Sequence, residues 1–240
     1  MKNLILLALL CIATLAEAQK TEGIIAFQQK INLHRSAPNM DENMKAMIPE
    51  FRTSEYQLAF TAIASLYKEV EADEEETDRN GNVRMSMRKP KGEVYYDLSA
   101  KKRIEVREMM DKKHRIEGEI KTTAWKITDE SKMIHGLPCM KATFEDTSGR
   151  KRQLEAWFTP AIPYSIGPEN YGGLPGMILE VSINDGEMIY AATKIDYKTP
   201  SKDDIAMPKG GTPISEEDYK KEMREMRKKW GGGNGRIIRN

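Results

Sequence analysis

Apolar and polar residues alternate along most of this chain, a period of two that marks half-buried strands. In IIAFQQKINLHR, Ile25, Phe27, Ile31 and Leu33 share one face. In YQLAFTAIASLY, Tyr56, Leu58, Phe60, Ala62, Ala64 and Leu66 do the same, which predicts one continuous strand. NVRMSMR sets Val83, Met85 and Met87 against Arg84, Ser86 and Arg88, just after a hairpin-type turn at Asn80 and Gly81. Seven further stretches keep the period: EVYYDL, KRIEVREMM, HRIEGEI, PCMKATFED, RQLEAWF, MILEVSI and MIYAATKIDY. Several are joined only by turn pairs such as Ser148-Gly149 and Asp185-Gly186. Strands this close in sequence form an antiparallel meander, because parallel neighbours need crossover helices that the chain does not supply. The expected fold is mainly β, a curled antiparallel sheet or partly open barrel with one short helix and a C-terminal helix.

The short helix is NMDENMKAMIPEF, stopped at Pro49. The second, SEEDYKKEMREMRKKW, opens with Ser215 and Asp218 in capping-box spacing and carries Tyr219, Met223, Met226 and Trp230 at helical spacing. That stripe is expected to dock on the protein's own sheet rather than on a partner. EVEADEEETDRN, residues 69 to 80, has no apolar period and reads as a solvated loop. GGGNGRIIRN is glycine-rich and basic. The expected layout is a signal peptide over 1–18, one antiparallel β domain over 19–212, the helix over 213–230 and a flexible basic tail over 231–240.

Export follows from the first residues. MKNLILLALLCIATLAEA joins Lys2, an apolar run from Leu4 to Leu15 and a small-x-small ending at Ala16 and Ala18. The run is shorter than the roughly 20 residues needed to span a bilayer, and no later segment is long enough. A periplasmic or envelope location follows, with no transmembrane segment once the signal is removed. Removal leaves Cys139 as the only cysteine, so no intramolecular disulfide is available and the core alone must hold the fold. With 38 basic and 37 acidic residues the chain carries +1, which gives no reason to expect nucleic acid as a partner.

The familiar catalytic patterns are absent: no G-x-S-x-G, no H-E-x-x-H, no Walker loop and no C-x-x-C. His34, His114 and His135 read as surface residues. His135 stands four residues before Cys139, but Gly136 and Pro138 lie between them and remove any helical reason for the pair to meet. Methionine gives a copper alternative, since thioethers favour Cu(I). Met40, Met44 and Met47 are the candidate ligands, while Met85, Met87, Met223 and Met226 read as core filler. Trp125 and Trp157 can either pack in the core or line an apolar pocket. The remaining candidate is the stretch GPENYGGLPG, with Gly167, Tyr171, Gly172, Gly173, Leu174, Pro175 and Gly176. A phosphate cradle wants a helix after the last glycine, and here the strand-like MILEV follows. The loop is therefore a turn-shaping element or the rim of a pocket.

GGLPGMILEV, with WKITDE, GLPCMKAT, EAWFTPAIPYSIGPENYGGLPG, IPEFRTSEYQLAF and the end GGGNGRIIRN, resembles the GLPGLI family of exported bacterial proteins. Met177 replaces the leucine of the naming motif. The resemblance implies a bacterial envelope protein with one β-rich domain and supplies no activity, cofactor or catalytic residue. Together these features point to a non-enzymatic protein without a cofactor that binds an apolar ligand or an envelope protein.

Overall fold

The computed structural model describes residues 21–36, 41–70, 92–109, 112–147 and 151–231, the side chains of the last helix as far as residue 226. The signal sequence, Met40, the Asn80-Gly81 turn, Met85, Met87, the Ser148-Gly149 pair, most of the acidic stretch and the glycine-rich end lie outside these residues.

Among the described residues twelve strands form one open sheet. They are β1 (Gly23–Asn32), β2 (Phe51–Phe60), β3 (Ala64–Glu69), β4 (Gly92–Asp97), β5 (Lys102–Met109), β6 (Lys112–Glu119), β7 (Lys126–Ile134), β8 (Leu137–Asp146), β9 (Arg152–Thr159), β10 (Met177–Ile183), β11 (Met188–Asp196) and β12 (Thr212–Pro213). Their order, β12-β6-β5-β4-β3-β2-β1-β11-β10-β9-β8-β7, is two meanders joined where β1 pairs antiparallel with β11. Only β12 runs parallel to its neighbour, β6. The sheet does not close into a barrel, as β7 and β12 are its edges. Register shifts at Ala26/Phe27, Ile178/Glu180 and Ile127/Ser131 mark bulges, the usual device for bending a sheet.

Among the described residues three helices accompany the sheet: α1 (Leu33–Ser36), α2 (Glu42–Met47) and α3 (Glu216–Gly231). The second and third are those the sequence predicts, while α1 is an addition that takes Leu33 and His34 out of the first strand. The capping of α3 is as expected, with the Asp218 N–H donating to Ser215 Oγ at 3.0 Å.

One predicted strand is two. The alternation of Tyr56 to Leu66 runs unbroken through residues 61–63, yet the chain turns there into the β2–β3 hairpin. The Thr61 N–H donates to the Ala64 carbonyl at 2.9 Å and Thr61 Oγ1 accepts from the Ala64 N–H at 3.2 Å, so one threonine closes the turn from both sides. The turn also changes parity. Tyr56, Leu58, Phe60 and Tyr67 enter the main core, whereas Ala64 and Leu66 face the other way with Tyr95 and Ile104. Ile205 packs over that outer group. The chain there is tied down by a Lys68 Nζ bond to the Asp203 carbonyl at 3.1 Å and an Arg115 Nη1 bond to the Pro208 carbonyl at 2.8 Å. This crossing delivers the chain from β11 to β12 at the far edge.

The main core contains Ile25, Phe27, Leu58, Phe60, Tyr67, Val94, Leu179 and Cys139. A second core holds Ala142, Leu154, Ala156, Phe158, Ile178, Val181 and Tyr190. Phe158 is fully buried, so Phe158→Ala is expected to lower unfolding free energy by about 3–5 kcal/mol in urea denaturation. Ile63→Ala, at a side chain 66% exposed, should change it by less than about 0.5 kcal/mol.

Candidate functional site: the glycine loop and its buried ion pairs

Residues 160–176 join β9 to β10, and the loop alternates between exposed positions such as Pro163 and Pro175 and the buried Ile162, Ile166, Gly167, Gly172, Leu174 and Gly176. Ile162 and Ile166, at 0% and 1% exposure, belong to the main core, while Leu174, at 1%, belongs to the second. One loop therefore supplies side chains to both cores. Tyr171 also packs on the second, its ring 6.0 Å from that of Tyr190. Backbone bonds fold the loop on itself: Gly173 N–H to the Ser165 carbonyl at 3.0 Å, Met177 N–H to Ile162 at 2.9 Å and Ile178 N–H to Ile166 at 2.9 Å. Trp125 pins it from outside, its indole N–H donating to the Gly172 carbonyl at 2.9 Å.

The glycines are consumed by this packing. A Cβ on Gly176 would stand 2.2 Å from the Thr159 carbonyl oxygen, and one on Gly172 or Gly167 would fall within 2.7 Å of the Ser165 oxygen or the Ile178 side chain. Gly173 has a φ of +91°, a region that side-chain-bearing residues rarely adopt, and lies against the Thr122–Thr123 backbone. Pro175 is exposed. The loop's own neighbours thus occupy the space that a ligand cradle would keep open.

Glu169, earlier in the same loop, has a φ of +53° and anchors the loop electrostatically. Its carboxylate accepts from Arg107 Nη2 at 2.5 Å. Arg107 Nε donates to Glu105 at 2.5 Å, and Arg103 Nη1 donates to the other Glu105 oxygen at the same distance. Arg103 Nη2 reaches Glu216, in the first turn of α3, at 2.9 Å. Lys121 also binds Glu216, and Lys220 does so at 2.7 Å. Arg103, Glu105 and Arg107 stand on one face of β5 by the strand period. Gly92, paired with Arg107, leaves room for the guanidinium, since a Cβ there would lie 2.3 Å from Arg107 Nη1.

Burial opposes the charge on Arg107, but Glu169 and Glu105 outweigh it and raise its pKa. Burial likewise opposes the Glu216 carboxylate, yet hydrogen bonds from Lys121 and Lys220 and the Arg103 charge bring its pKa down to about 2. Burial pushes Tyr171 up to about 12 and raises Tyr67 and Tyr190, keeping these phenols neutral. The Cys139 thiol, fully buried, is pushed up to about 11 by burial, which leaves it protonated and a poor nucleophile at neutral pH.

The other predicted residues are dispersed. Trp157 packs on the main core with Lys132 Nζ 4.4 Å above its ring, whereas Trp125 belongs to the second core, so the two do not share one wall. Met44 and Met47 lie on α2, 53% and 84% exposed. Of the histidines read as surface residues, His114 is buried against Tyr219, because α3 covers its strand. His135, with a φ of +48°, caps the β7–β8 turn and its Nε2 lies 2.8 Å from the Ala192 carbonyl. Sequence reasoning missed Arg103, Glu105, Arg107, Glu169 and Glu216. Their signal was the alternating sign of charge in KRIEVRE, which by itself looks like a solvated strand face.

A family model described as "Protein of unknown function (Porph_ging)" matches residues 145–180, the end of β8, β9, the glycine loop and the start of β10. No curated protein matches the chain. Two solved structures share the fold: "Structure of PNGF-II in C2 space group", with a TM-score of 0.57, and "Structure of PNGF-II in P21 space group", with 0.58. Both are 14% identical to this chain and match 86% of it. The chain spans about a third of the length of those proteins, 33% and 34%. Among the described residues no helix is long and apolar enough to cross a membrane.

Gly176→Val should prevent folding, whereas Gly136→Ala, at a turn with no atom within 4 Å of the new Cβ, should yield folded protein at a cost of about 1 kcal/mol, as read by circular dichroism and urea titration. Glu216 has a folded pKa below its ordinary value of 4.5. Its stabilisation is complete above about pH 4.5 and is lost as the pH falls towards 2. Glu216→Gln should therefore lower the melting temperature at pH 6 and flatten its decline between pH 4.5 and 2.

Proposed function

We infer that this chain is an exported bacterial cell-envelope protein of the GLPGLI family that acts without catalysis, by binding a protein partner. The observation that carries this reading is the consumption of the motif loop by the protein's own interior. Its glycines meet backbone, its apolar side chains fill two cores and its carboxylate neutralises a partly buried arginine. Recognition then falls to exposed surface. Ile127, Met133 and Met140, 44%, 65% and 39% exposed, stand on one face of the β7–β8 hairpin by their register, Ile127 opposite Ala142 and Ser131 opposite Met140. Charged Lys126, Asp129 and Glu130 flank them. An apolar row with a charged rim suits a protein contact. The apolar-ligand alternative requires the loop to leave the cores, which would uncover Ile162, Ile166 and Leu174.

The test is affinity purification of the native protein from its source, with mass spectrometry for proteins and lipids. A stoichiometric protein that is lost from the Ile127→Asp/Met133→Asp variant, with the melting temperature unchanged, is expected. A bound lipid, or a protein retained equally by the variant, would refute the partner surface.

A further inference from the structure

His114, on β6, is buried at 7% exposure, and neither of its ring nitrogens has a hydrogen-bond partner among the described residues. That is an uncommon condition for a buried imidazole, because a hydrogen bond left unmade in a dry site is costly. In register the residue stands between Arg107 of β5 and Thr212 of β12. α3 closes the site from above. The Tyr219 ring lies 5.8 Å from the imidazole, and Glu222 Oε2 lies 4.0 Å from its Nε2. This gap is too long for a hydrogen bond, yet a small rotation of the glutamate closes it. Glu222 has room to make that rotation, as its side chain is 48% exposed.

The charges around the ring set the sign of its response. On β5, Arg107 is the cation opposite, but Glu105 and Glu169 already bind it. On β6 the neighbours on the same face are Lys112, which is exposed, and apolar Ile116. β12 contributes Thr212 and no charge. From α3 the facing groups are Tyr219, whose phenol is kept neutral by burial, and Glu222. A neutral imidazole gains only an ordinary hydrogen bond from that carboxylate, whereas an imidazolium gains a charge-assisted one. We propose that His114 and Glu222 form an acid-strengthened latch, in which a proton on the imidazole draws the carboxylate in and clamps α3 onto β6. The docked helix supplies the carboxylate and so holds the proton more firmly than the undocked helix does. By linkage the proton favours docking, so the gain is present at acidic pH and is lost as the imidazole deprotonates. His34 lies on α1 and His135 at the β7–β8 turn, which keeps the response of α3 specific to His114.

The test is amide hydrogen exchange of α3 in the mature chain, expressed as protection relative to the intrinsic rate at each pH, across roughly pH 5 to 8 where imidazoles titrate. Glu216 does not interfere, because its pKa of about 2 keeps the first-turn ion pairs charged throughout this range. Protection of the amides of residues 219–226 is expected to be about tenfold higher at the acidic end, the effect of one charge-assisted hydrogen bond. Glu222→Gln, at an exposed position that leaves the fold intact, should make protection independent of pH, and His114→Gln should do the same. Nitrogen NMR of the ring should report an imidazolium at the acidic end. Equal protection at both ends, lower protection in acid, a pH response that survives in Glu222→Gln, or a ring still neutral at the acidic end would overturn the proposal. The measurement concerns β6 and α3 alone, so its outcome is separate from that of the partner test on the β7–β8 hairpin.

Discussion

Arg103 is buried and Arg107 partly buried on the covered face of β5, and a buried guanidinium without carboxylate partners costs several kcal/mol. That constraint organises much of the molecule. β5 carries two arginines and one glutamate on the covered face, an excess of one positive charge, and each arginine finds its further carboxylate outside the strand. Glu169 comes from the loop after β9 and Glu216 from the helix after β12. With Lys121 and Lys220, which both bind Glu216, four cations meet three carboxylates. Each arginine has its second carboxylate only when loop and helix are both in place, so elements 62 and 113 residues from their partners in sequence are tied to one strand. Such pairs add little net stability over an apolar core, but leaving one charge alone is costly, and the cost selects a single arrangement.

Most of the strands and the two longer helices were legible in the sequence because alternation and capping are local. What was not legible was the third dimension of the polar faces. Arg103, Glu105 and Arg107 alternate with Ile104 and Val106, a pattern identical to that of a strand with one wet face. Only the arrival of distant Glu169 and Glu216 makes that face an interior. The β2–β3 hairpin escaped notice for a related reason: residues 61–63 preserve the apolar period while Thr61 reverses the chain, so parity changes with no break in the pattern. β7 was hidden by its bulge, which places Ile127 and Ser131 opposite residues only two apart and destroys the period of two. The glycine loop, by contrast, was recognised as an element in front of a strand. Its burial was not evident, as glycines give no hydropathy signal and the close approaches at Gly172 and Gly176 are to backbone.

The region matched by the family model, residues 145–180, contains the closely packed glycine loop. At Gly176 any side chain meets a carbonyl, at Gly173 the backbone angle excludes most residues, and Ile162, Ile166 and Leu174 must fill two cores at once. A stretch can thus be the most recognisable part of a chain for architectural reasons alone. The two PNGF-II structures make a related point at the level of the sheet, since they retain the architecture at 14% identity while being about three times as long. Their likeness shows a fold that is used as one part of larger molecules.

Division of labour then follows from where the constraints lie. The interior spends its glycines, tyrosines and buried charges on holding a curled sheet around one loop. The periphery is under no such demand: the β7–β8 face keeps apolar side chains in water, and α3 beyond Tyr219 keeps Lys221 and Arg224 exposed. Exposed methionine and clustered positive charge both cost solubility or self-repulsion in a free monomer. Neither is required by the fold, because Phe158, Arg107 and the loop close the structure without them. Under the reading given above, a surface feature that the fold does not need is where recognition resides, and the motif loop's part is to keep the scaffold behind it rigid.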